Sequence, residues 1–347
     1  MLKLFSGRSN PTFAANMALH LQTNYSQDYK GALDIQNFSD GEIFPSFPES
    51  VRGNIVAILQ STHSKYSGAN NILELLLAVD AAKRSSAQKI FCVMPYFGYA
   101  RQDRRDKPGV PISAKLIANL LTKAGADRII TLDLHSPQIQ GFFDIPCDVL
   151  YASYIMLPFL RKQSFPNLTI WAPDKGAEKM ARFWAKKLGA IVKKSHQNDP
   201  VEEKNFFVTA EKRRPKPDVV EIVKVDGDEN GSNPLINGRT VLIVDDVAST
   251  FGTIKASVNA AYDRGASAVY GCCIHPLLDG PAPDILGNSK IVKLYTTNTI
   301  PLDTKQTKMM QKIEEVDVSG LLAEATIRAA NNQSISALYE DREELVR

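Results

Sequence analysis

The residues with the plainest chemistry lie in one run, TVLIVDDVASTFGTI, from Thr240 to Ile254. Asp245 and Asp246 stand side by side after the unbroken apolar stretch Val241 to Val244, and a hydroxyl-rich turn, Ser249-Thr250-Phe251-Gly252-Thr253, follows them. A short β-favouring apolar run reads as a strand covered on both faces of a parallel sheet. The paired acids then fall at its carboxyl end, where open α/β sheets bind ligands. The turn offers hydroxyls and backbone N–H groups to a phosphate at a helix N-terminus. Carboxylates repel that phosphate and suit ribose hydroxyls or a Mg²⁺ ion instead, so the run reads as a cradle for both ends of a phosphorylated pentose. A helix N-cap explains one aspartate before a Ser/Thr turn, but not two in succession.

Other segments carry chemistry of the same kind. The run ITLDLHSPQIQGFFDIPCD brings Asp133 and His135 to the end of a second apolar strand, where an imidazole and a carboxylate can meet a nucleotide or a metal. The run YFGYARQDRRDKPGVPISAKLIANLL supplies Arg101, Arg104 and Arg105 as forked phosphate donors, with Tyr96, Phe97 and Tyr99 as faces for a base. A solvated basic loop is the plainer reading of those arginines. FSDGEIFPSFPESVRG places Asp40 and Glu42 on a hairpin-like turn. FFVTAEKRRPKPDVVEIV gathers Lys212, Arg213 and Arg214 ahead of Pro215 and Pro217, as a mobile basic flap or simply an exposed patch. In WAPDKGAEKMAR a strand ends at Asp174, and Gly176 and Ala177 either let backbone approach a diphosphate or cap a helix.

These residues need a scaffold of strands alternating with helices. Strand-like runs are expected at Ile55 to Gln60, Lys89 to Pro95, Arg128 to Asp133, Leu168 to Ala172, Val241 to Val244, Ala268 to Ile274 and Ile291 to Tyr295. Helical spacing appears at Asn70 to Lys83, Ile112 to Lys123, Ala177 to Leu188, Thr253 to Arg264 and Gly320 to Ala330. That order is α/β. The strand-acid pattern occurs twice, as IITLDLH and LIVDD, which suggests two similar halves meeting near Asp148 to Ser153. Lys193 to Lys204 and Asp226 to Asn237 read as loops or insertions.

A chain of 347 residues fits two domains, and 44% hydrophobic with 23% charged residues describes a soluble globular protein. A formal net charge of +3, from 41 basic and 38 acidic residues, gives no argument for nucleic acid or membrane as a partner. Cys92, Cys147, Cys272 and Cys273 lack zinc-ligand spacing and sit mostly in apolar runs, as expected of buried thiols in a reducing compartment; cytoplasm is the expected location. No apolar stretch reaches membrane-spanning length, and the start, MLKLFSGRSN, lacks the apolar core of a signal peptide.

The run from Thr240 resembles the motif that binds phosphoribosyl diphosphate (PRPP) in both phosphoribosyltransferases and ribose-phosphate pyrophosphokinases. The other segments, from FSGRSNP at the start to NTIP and LLAEA near the end, resemble the pyrophosphokinase (PRPP synthetase) family over nearly the whole chain. The resemblance implies an α/β fold of two similar phosphoribosyltransferase-type domains, each a mainly parallel sheet flanked by helices. They would be residues 1–150, joined by a C-terminal helix at 318–347, and residues 151–317. It implies ATP contacts from Arg101, Gln102 and Asp106, and from Asp40, Gly41 and Glu42 of a neighbouring subunit. Ribose 5-phosphate would meet Asp245, Asp246, Ser249, Thr250, Phe251, Gly252 and Thr253, and His135 with Asp174 would hold Mg²⁺. Lys212 and Arg214 would be catalytic, on the family's flexible loop. The implied reaction moves the β,γ-diphosphoryl group of MgATP to the C1 hydroxyl of ribose 5-phosphate, giving PRPP and AMP. The implied assembly is a homo-oligomer built on dimers or a hexamer.

Two other readings share these motifs. A phosphoribosyltransferase would consume PRPP, but ordinary ones lack a Lys-Arg-Arg flap in this place. A non-catalytic paralogue would have lost the flap or the paired acids, and this chain has both. The chain departs from many family members at Ser249, where they have aspartate, and at Lys175-Gly176-Ala177, where they have Ala-Gly-Gly. Both forms resemble an archaeal-type branch. Cys147 stands where valine is more usual.

Overall fold

Short apolar runs separated by helical patterns have to cover both faces of their strands, and here they do so in two α/β units. The computed structural model describes residues 1–63, 70–195, 207–216, 219–228 and 233–340. One unit comprises Met1–Ala152, Asn298–Pro301 and the described part of Asp317–Asp341; the other comprises Ser153–Thr297 and Leu302–Val316.

The first unit runs β1 (Leu2–Ser6), α1 (Pro11–Tyr25), β2 (Asp34–Asn37), β3 (Ile43–Ser46), β4 (Ile55–Leu59), α2 (Asn70–Arg84), β5 (Lys89–Met94), α3 (Ser113–Ala124), β6 (Arg128–Leu132) and β7 (Cys147–Leu150). Its five-stranded sheet has the order β1-β4-β5-β6-β7, every neighbour parallel. Alternate strand residues divide between the two faces. Val56, Ile58, Ile90, Cys92 and Met94 join the apolar stripes of α2 and α3 in one core, while α9, described below, packs on α1 and β6. β2 and β3 form a separate antiparallel pair.

The second unit runs α4 (Ser153–Arg161), β8 (Leu168–Ala172), α5 (Glu178–Ser195), β9 (Phe207–Lys216), β10 (Val219–Val225), β11 (Thr240–Ala248), α6 (Gly252–Asp263), β12 (Ala268–Pro276), α7 (Ala282–Gly287), β13 (Leu294–Thr297), α8 (Thr307–Met310) and β14 (Ile313–Val316). The sheet order is β10-β9-β8-β11-β12-β13-β14, parallel throughout except for β9 with β10. Trp171, Val241 and Ile243 pack with Ile254 and Val258 of α6 and Leu286 of α7. The chain then returns to the first unit as α9 (Ser319–Ala330) and α10 (Ala337–Glu340). Asn298 secures that return: its carbonyl accepts from Asn10 Nδ2 at 2.9 Å, and its Nδ2 donates to Asp317 Oδ1 at 2.7 Å.

Two expected loops are partly regular. α5 continues through Ser195, so Lys193 to Ser195 are helical, and the rest of that expected loop lies outside the described residues. In the other, Asn233 organises a turn by donating Nδ2 to Asp226 O at 2.9 Å, with 229–232 outside the described residues. No described helix is long and apolar enough to cross a membrane.

Candidate functional site

The second unit places the paired acids within a strand. β11 stays bonded to β12 through Ala248, pairing Asp245 with Cys273, whereas its pairing with β8 stops at Ile243 opposite Trp171. The expected strand end at Val244 is therefore corrected: β12 is long enough to carry β11 past both aspartates, and β8 is not. Asp245 Oδ1 accepts the N–H of Asp246 at 3.0 Å. Burial, then the adjacent charge of Asp246, pushes the Asp245 carboxyl well above the ordinary carboxylate range, and the charge of Asp174 acts in the same direction. Such a pool of carboxylates attracts hydroxyl donors or a cation.

The turn after β11 leads directly into a helix N-terminus. Phe251 holds a left-handed conformation (φ 63°) immediately before α6 and makes no side-chain cap, so neither aspartate caps the helix. Its ring is buried. The carbonyls of Ala248 and Ser249 accept from the N–H groups of Leu278 at 2.9 Å and Asp279 at 3.0 Å, which pins the turn from behind. The first N–H groups of α6 have no partner within the helix and carry the positive end of its dipole. Ser249, Thr250, Gly252 and Thr253 surround that end in sequence.

Asp174 follows the end of β8 and folds back on its own turn, accepting at Oδ1 from the N–H of Gly176 at 2.8 Å and of Ala177 at 3.2 Å. A Cβ on residue 176 would lie 2.9 Å from that oxygen, so a larger residue there would have to displace the Asp174 carboxylate from these bonds. The second oxygen, Oδ2, accepts from Lys212 Nζ. Burial pushes this carboxyl up, but the Lys212 hydrogen bond and charge, with the two backbone donors, outweigh it and hold it below its usual value.

Lys212 arrives there on a hairpin, where a flexible loop was expected. Phe207 to Thr209 pair with β8; beyond them β9 pairs with β10, Lys212 opposite Ile222 and Arg213 opposite Glu221. The signal was present: β-favouring FFVTA and VVEIVKV lie on either side of the basic, proline-containing stretch. Arg214 lies on β9, and its side chain lies outside the described residues.

The first unit gathers Arg101, Gln102, Asp106 and His135, with Arg104, around one cavity of about 560 Å³, a volume suited to a small-molecule ligand. Gln102 is oriented by the Ser113 hydroxyl, which donates to its Oε1, and its carbonyl accepts from Ala114 N–H at 3.2 Å. Asp133 is not among the residues lining this cavity; its Oδ2 accepts from Ala152 N–H at 2.6 Å and braces the ends of β6 and β7. Tyr96 and Phe97 are corrected as stacking candidates, because both are buried and Phe97 packs edge-on against Phe143. Tyr99 is 39% exposed and stays available. Asp40, Gly41 and Glu42 occupy the β2–β3 turn and do not line the cavity.

The chain matches two family models: the N-terminal domain of ribose phosphate pyrophosphokinase over residues 2–125, and the phosphoribosyl synthetase-associated domain over residues 166–340. It is 42% identical over 342 residues to a ribose-phosphate pyrophosphokinase of Chlorobaculum tepidum, covering 98% of this chain and 96% of that one. It is 40% identical over 338 residues to one of Bacillus subtilis, covering 97% of each. A crystal structure of phosphoribosylpyrophosphate synthetase from Mycobacterium smegmatis superposes with a TM-score of 0.80 at 32% identity, over 95% of this chain and 99% of that one.

Proposed function

The chain belongs to the ribose-phosphate pyrophosphokinase family, and on that premise we propose that it transfers the β,γ-diphosphoryl group of MgATP to ribose 5-phosphate, giving PRPP and AMP. The observation that carries the reading is Lys212 on Asp174: the basic β9–β10 hairpin reaches the carboxyl end of β8, beside the strand that bears Asp245 and Asp246. A phosphoribosyltransferase site has no need of that cation.

The first unit takes the nucleotide, with Arg101, Gln102 and Asp106 around its cavity, and the second takes the sugar phosphate. Thr250, Gly252 and Thr253 with Ser249 receive the 5-phosphate at the start of α6, where Phe251 sets the backbone. Asp245 and Asp246 accept from ribose hydroxyls. The C1 hydroxyl oxygen forms a bond to the β-phosphorus, the bond from that phosphorus to the α-phosphate oxygen breaks, AMP leaves with that oxygen, and the hydroxyl proton passes to solvent. Lys212 and Arg214 bind the oxygens of the migrating diphosphate, where charge stabilisation and alignment supply most of the catalysis.

The donor chemistry fits Mg²⁺. Asp174 is a hard oxygen donor whose Oδ2 would be open to a cation once Lys212 turns to the diphosphate, and no thiolate competes, since all four cysteines are buried and outside disulfides. Mg²⁺ commonly takes one or two protein carboxylates and completes its shell with phosphates and water. Asp174 and His135 are the residues that would hold it, and when bound it neutralises charge on the phosphate oxygens. The free cysteines also support the cytoplasm as the location. The family resemblance implies that the exposed Asp40–Glu42 turn is delivered to the nucleotide of a neighbouring copy, in a dimer-based homo-oligomer or hexamer.

The test is incubation of the purified chain with Mg²⁺, ATP and ribose 5-phosphate, following AMP and PRPP together. Equal appearance of both is expected. Tight PRPP binding without AMP release would move the reading to a transferase or a regulatory paralogue.

A further inference from the structure

The loop between β1 and α1 carries an arginine that the proposed reaction does not use. Arg8 is fixed at its root: its main-chain N–H donates to Glu74 Oε1 at 2.8 Å and its Nε to Glu74 Oε2 at 2.7 Å. Glu74, on α2, is 2% exposed, and a carboxylate so buried is stable only when paired and hydrogen-bonded. Gln60, fully buried after β4, orients it by donating Nε2 to the same Oε1 at 2.8 Å, while its own Oε1 accepts from Ser9 N–H at 3.1 Å. With Nε committed, the planar guanidinium has its direction set, and its Nη1 reaches outward to Asn37 Oδ1 at 2.6 Å. Asn37, the last residue of β2, uses the other half of its amide to donate from Nδ2 to Gly41 O at 2.9 Å. Gly41 (φ 94°) lies between Asp40 and Glu42.

The turn needs such a support. β2 and β3 are a two-stranded sheet of their own, which is marginal in water unless it packs on something else; here β3 packs on α2, with Ile43 buried. Gln36 to Glu42 are all exposed. Bonds inside the turn, Phe38 N–H to Glu42 O at 2.8 Å and Glu42 N–H to Asp40 Oδ1 at 3.0 Å, define its shape but not its bearing on the sheet. The packing of β3 on α2 and the chain from Glu74 through Arg8 and Asn37 to Gly41 together supply that bearing, the second reaching the turn itself.

We propose that Arg8 and Asn37 are positioning residues for the adenine nucleotide, holding the Asp40–Glu42 turn in the geometry that contacts it. The proposal rests on the reading of that turn as a nucleotide contact. Glu74, Arg8 and Asn37, far apart in sequence, form a relay whose last member, Asn37, holds the Gly41 carbonyl at the tip of the exposed turn. Lysine could neutralise Glu74 but could not also bridge to Asn37, because it lacks the rigid fork.

The experiment is steady-state kinetics on the full-length enzyme with each substrate varied in turn, alongside thermal melting, for Asn37→Ala, Arg8→Lys, their combination, Asp40→Ala and Glu42→Ala. Asn37→Ala is expected to raise KM for ATP about tenfold, the loss of one hydrogen bond to a charged donor, with kcat, KM for ribose 5-phosphate and the melting temperature unchanged. Arg8→Lys should show the same split, and the double variant should be no worse than Asn37→Ala alone. If Glu42→Ala or Asp40→Ala raises KM for ATP while Asn37→Ala leaves it within twofold, the positioning role is overturned and the turn remains a nucleotide contact. If none of the variants moves KM for ATP, the reading of the turn falls, and the proposal with it. A parallel rise in both KM values with a lower melting temperature in Asn37→Ala would mark a folding effect and also overturn it.

Discussion

Replacing Lys212 by alanine separates what this side chain does for the fold from what it does for the reaction. Its ammonium donates to Asp174 Oδ2, and the two side chains are 22% and 32% exposed. A pair at that depth lies between surface ion pairs, which contribute at most about 1 kcal/mol, and buried ones, whose disruption costs about 3–5 kcal/mol; a loss of about 1–2 kcal/mol of stability is expected. The sign with pH follows from Asp174, whose carboxyl is held below its usual value. Its contribution is present above the unfolded carboxylate pKa, near about 4, and is lost as pH falls through the lower folded value. The difference in melting temperature between parent and Lys212→Ala should therefore be steady from neutral pH down to about 5 and shrink below about 4. Catalysis is expected to respond on another scale. A donor engaged at the transition state is worth about 10²–10³ in kcat, or roughly 2.7–4 kcal/mol at 1.36 kcal/mol per decade. Losing 1–2 kcal/mol from a domain of ordinary stability leaves nearly all molecules folded, so a purely structural Lys212 would leave kcat almost untouched. Quenched-flow measurement of AMP at saturating ATP and ribose 5-phosphate decides between them. The expected result is kcat down 10²–10³ with KM for ATP within about twofold. A kcat within about threefold of the parent, with only the melting temperature lowered, would refute the catalytic assignment.

Asp245→Asn should act in opposite directions on stability and activity. Burial and the Asp246 charge raise the Asp245 carboxyl, so its ionisation opposes folding, and the cost is absent below the unfolded pKa and grows as pH rises towards the folded value. The variant is expected to melt a few degrees higher near neutral pH, with the gain vanishing below about pH 4, while KM for ribose 5-phosphate rises by about an order of magnitude or more; scanning calorimetry across that range checks it. Asp228→Asn tests the brace behind β10. Arg264 bonds the Asp228 carboxylate through Nε at 2.7 Å and Nη2 at 2.6 Å and is the main reason its pKa falls from 3.8 to about 2. A shift of that size corresponds to about 2 kcal/mol, present above the unfolded pKa and lost as pH falls towards 2, so urea unfolding at pH 7 should show that loss and at pH 2 almost none.

Legibility in the sequence followed the range of the interactions. β4, β5, β6, β8 and β11 were visible because each is a local apolar run, and the acids of β11 and β6 were visible because they follow those runs directly. Contacts made by distant residues were not. Lys212 and Asp174 are 38 positions apart, and Arg8 and Glu74 are 66 apart; no spacing rule links them. The β9–β10 hairpin was read as a loop because its cations and prolines outweighed the β-favouring residues on either side. Tyr96 and Phe97 were read as faces for a base because they precede a run of arginines in sequence, but they turn into the core. Composition decided in both cases what only tertiary packing could settle.

The backbone at the proposed binding loops was the least legible feature and bears most on the mechanism. Tyr99, Asp133 and Phe251 all have left-handed φ, at 61°, 39° and 63°, and each stands one or two residues before a proposed ligand contact: Arg101, His135 and Gly252. Sequence announces that conformation only when glycine or asparagine occupies the position; a tyrosine or phenylalanine gives no sign and costs about 1–3 kcal/mol. Each of the three is held by its surroundings. The Tyr99 carbonyl accepts from Gln102 N–H at 3.0 Å, Asp133 bonds both Leu150 O and Ala152 N–H, and Phe251 is buried in the core of its unit. The strain therefore lies where a chain direction must change sharply at the end of a strand to aim backbone and side chains at a phosphate. Packing that overdetermines these turns keeps them in place before any substrate arrives, so that little ordering remains to be done on binding.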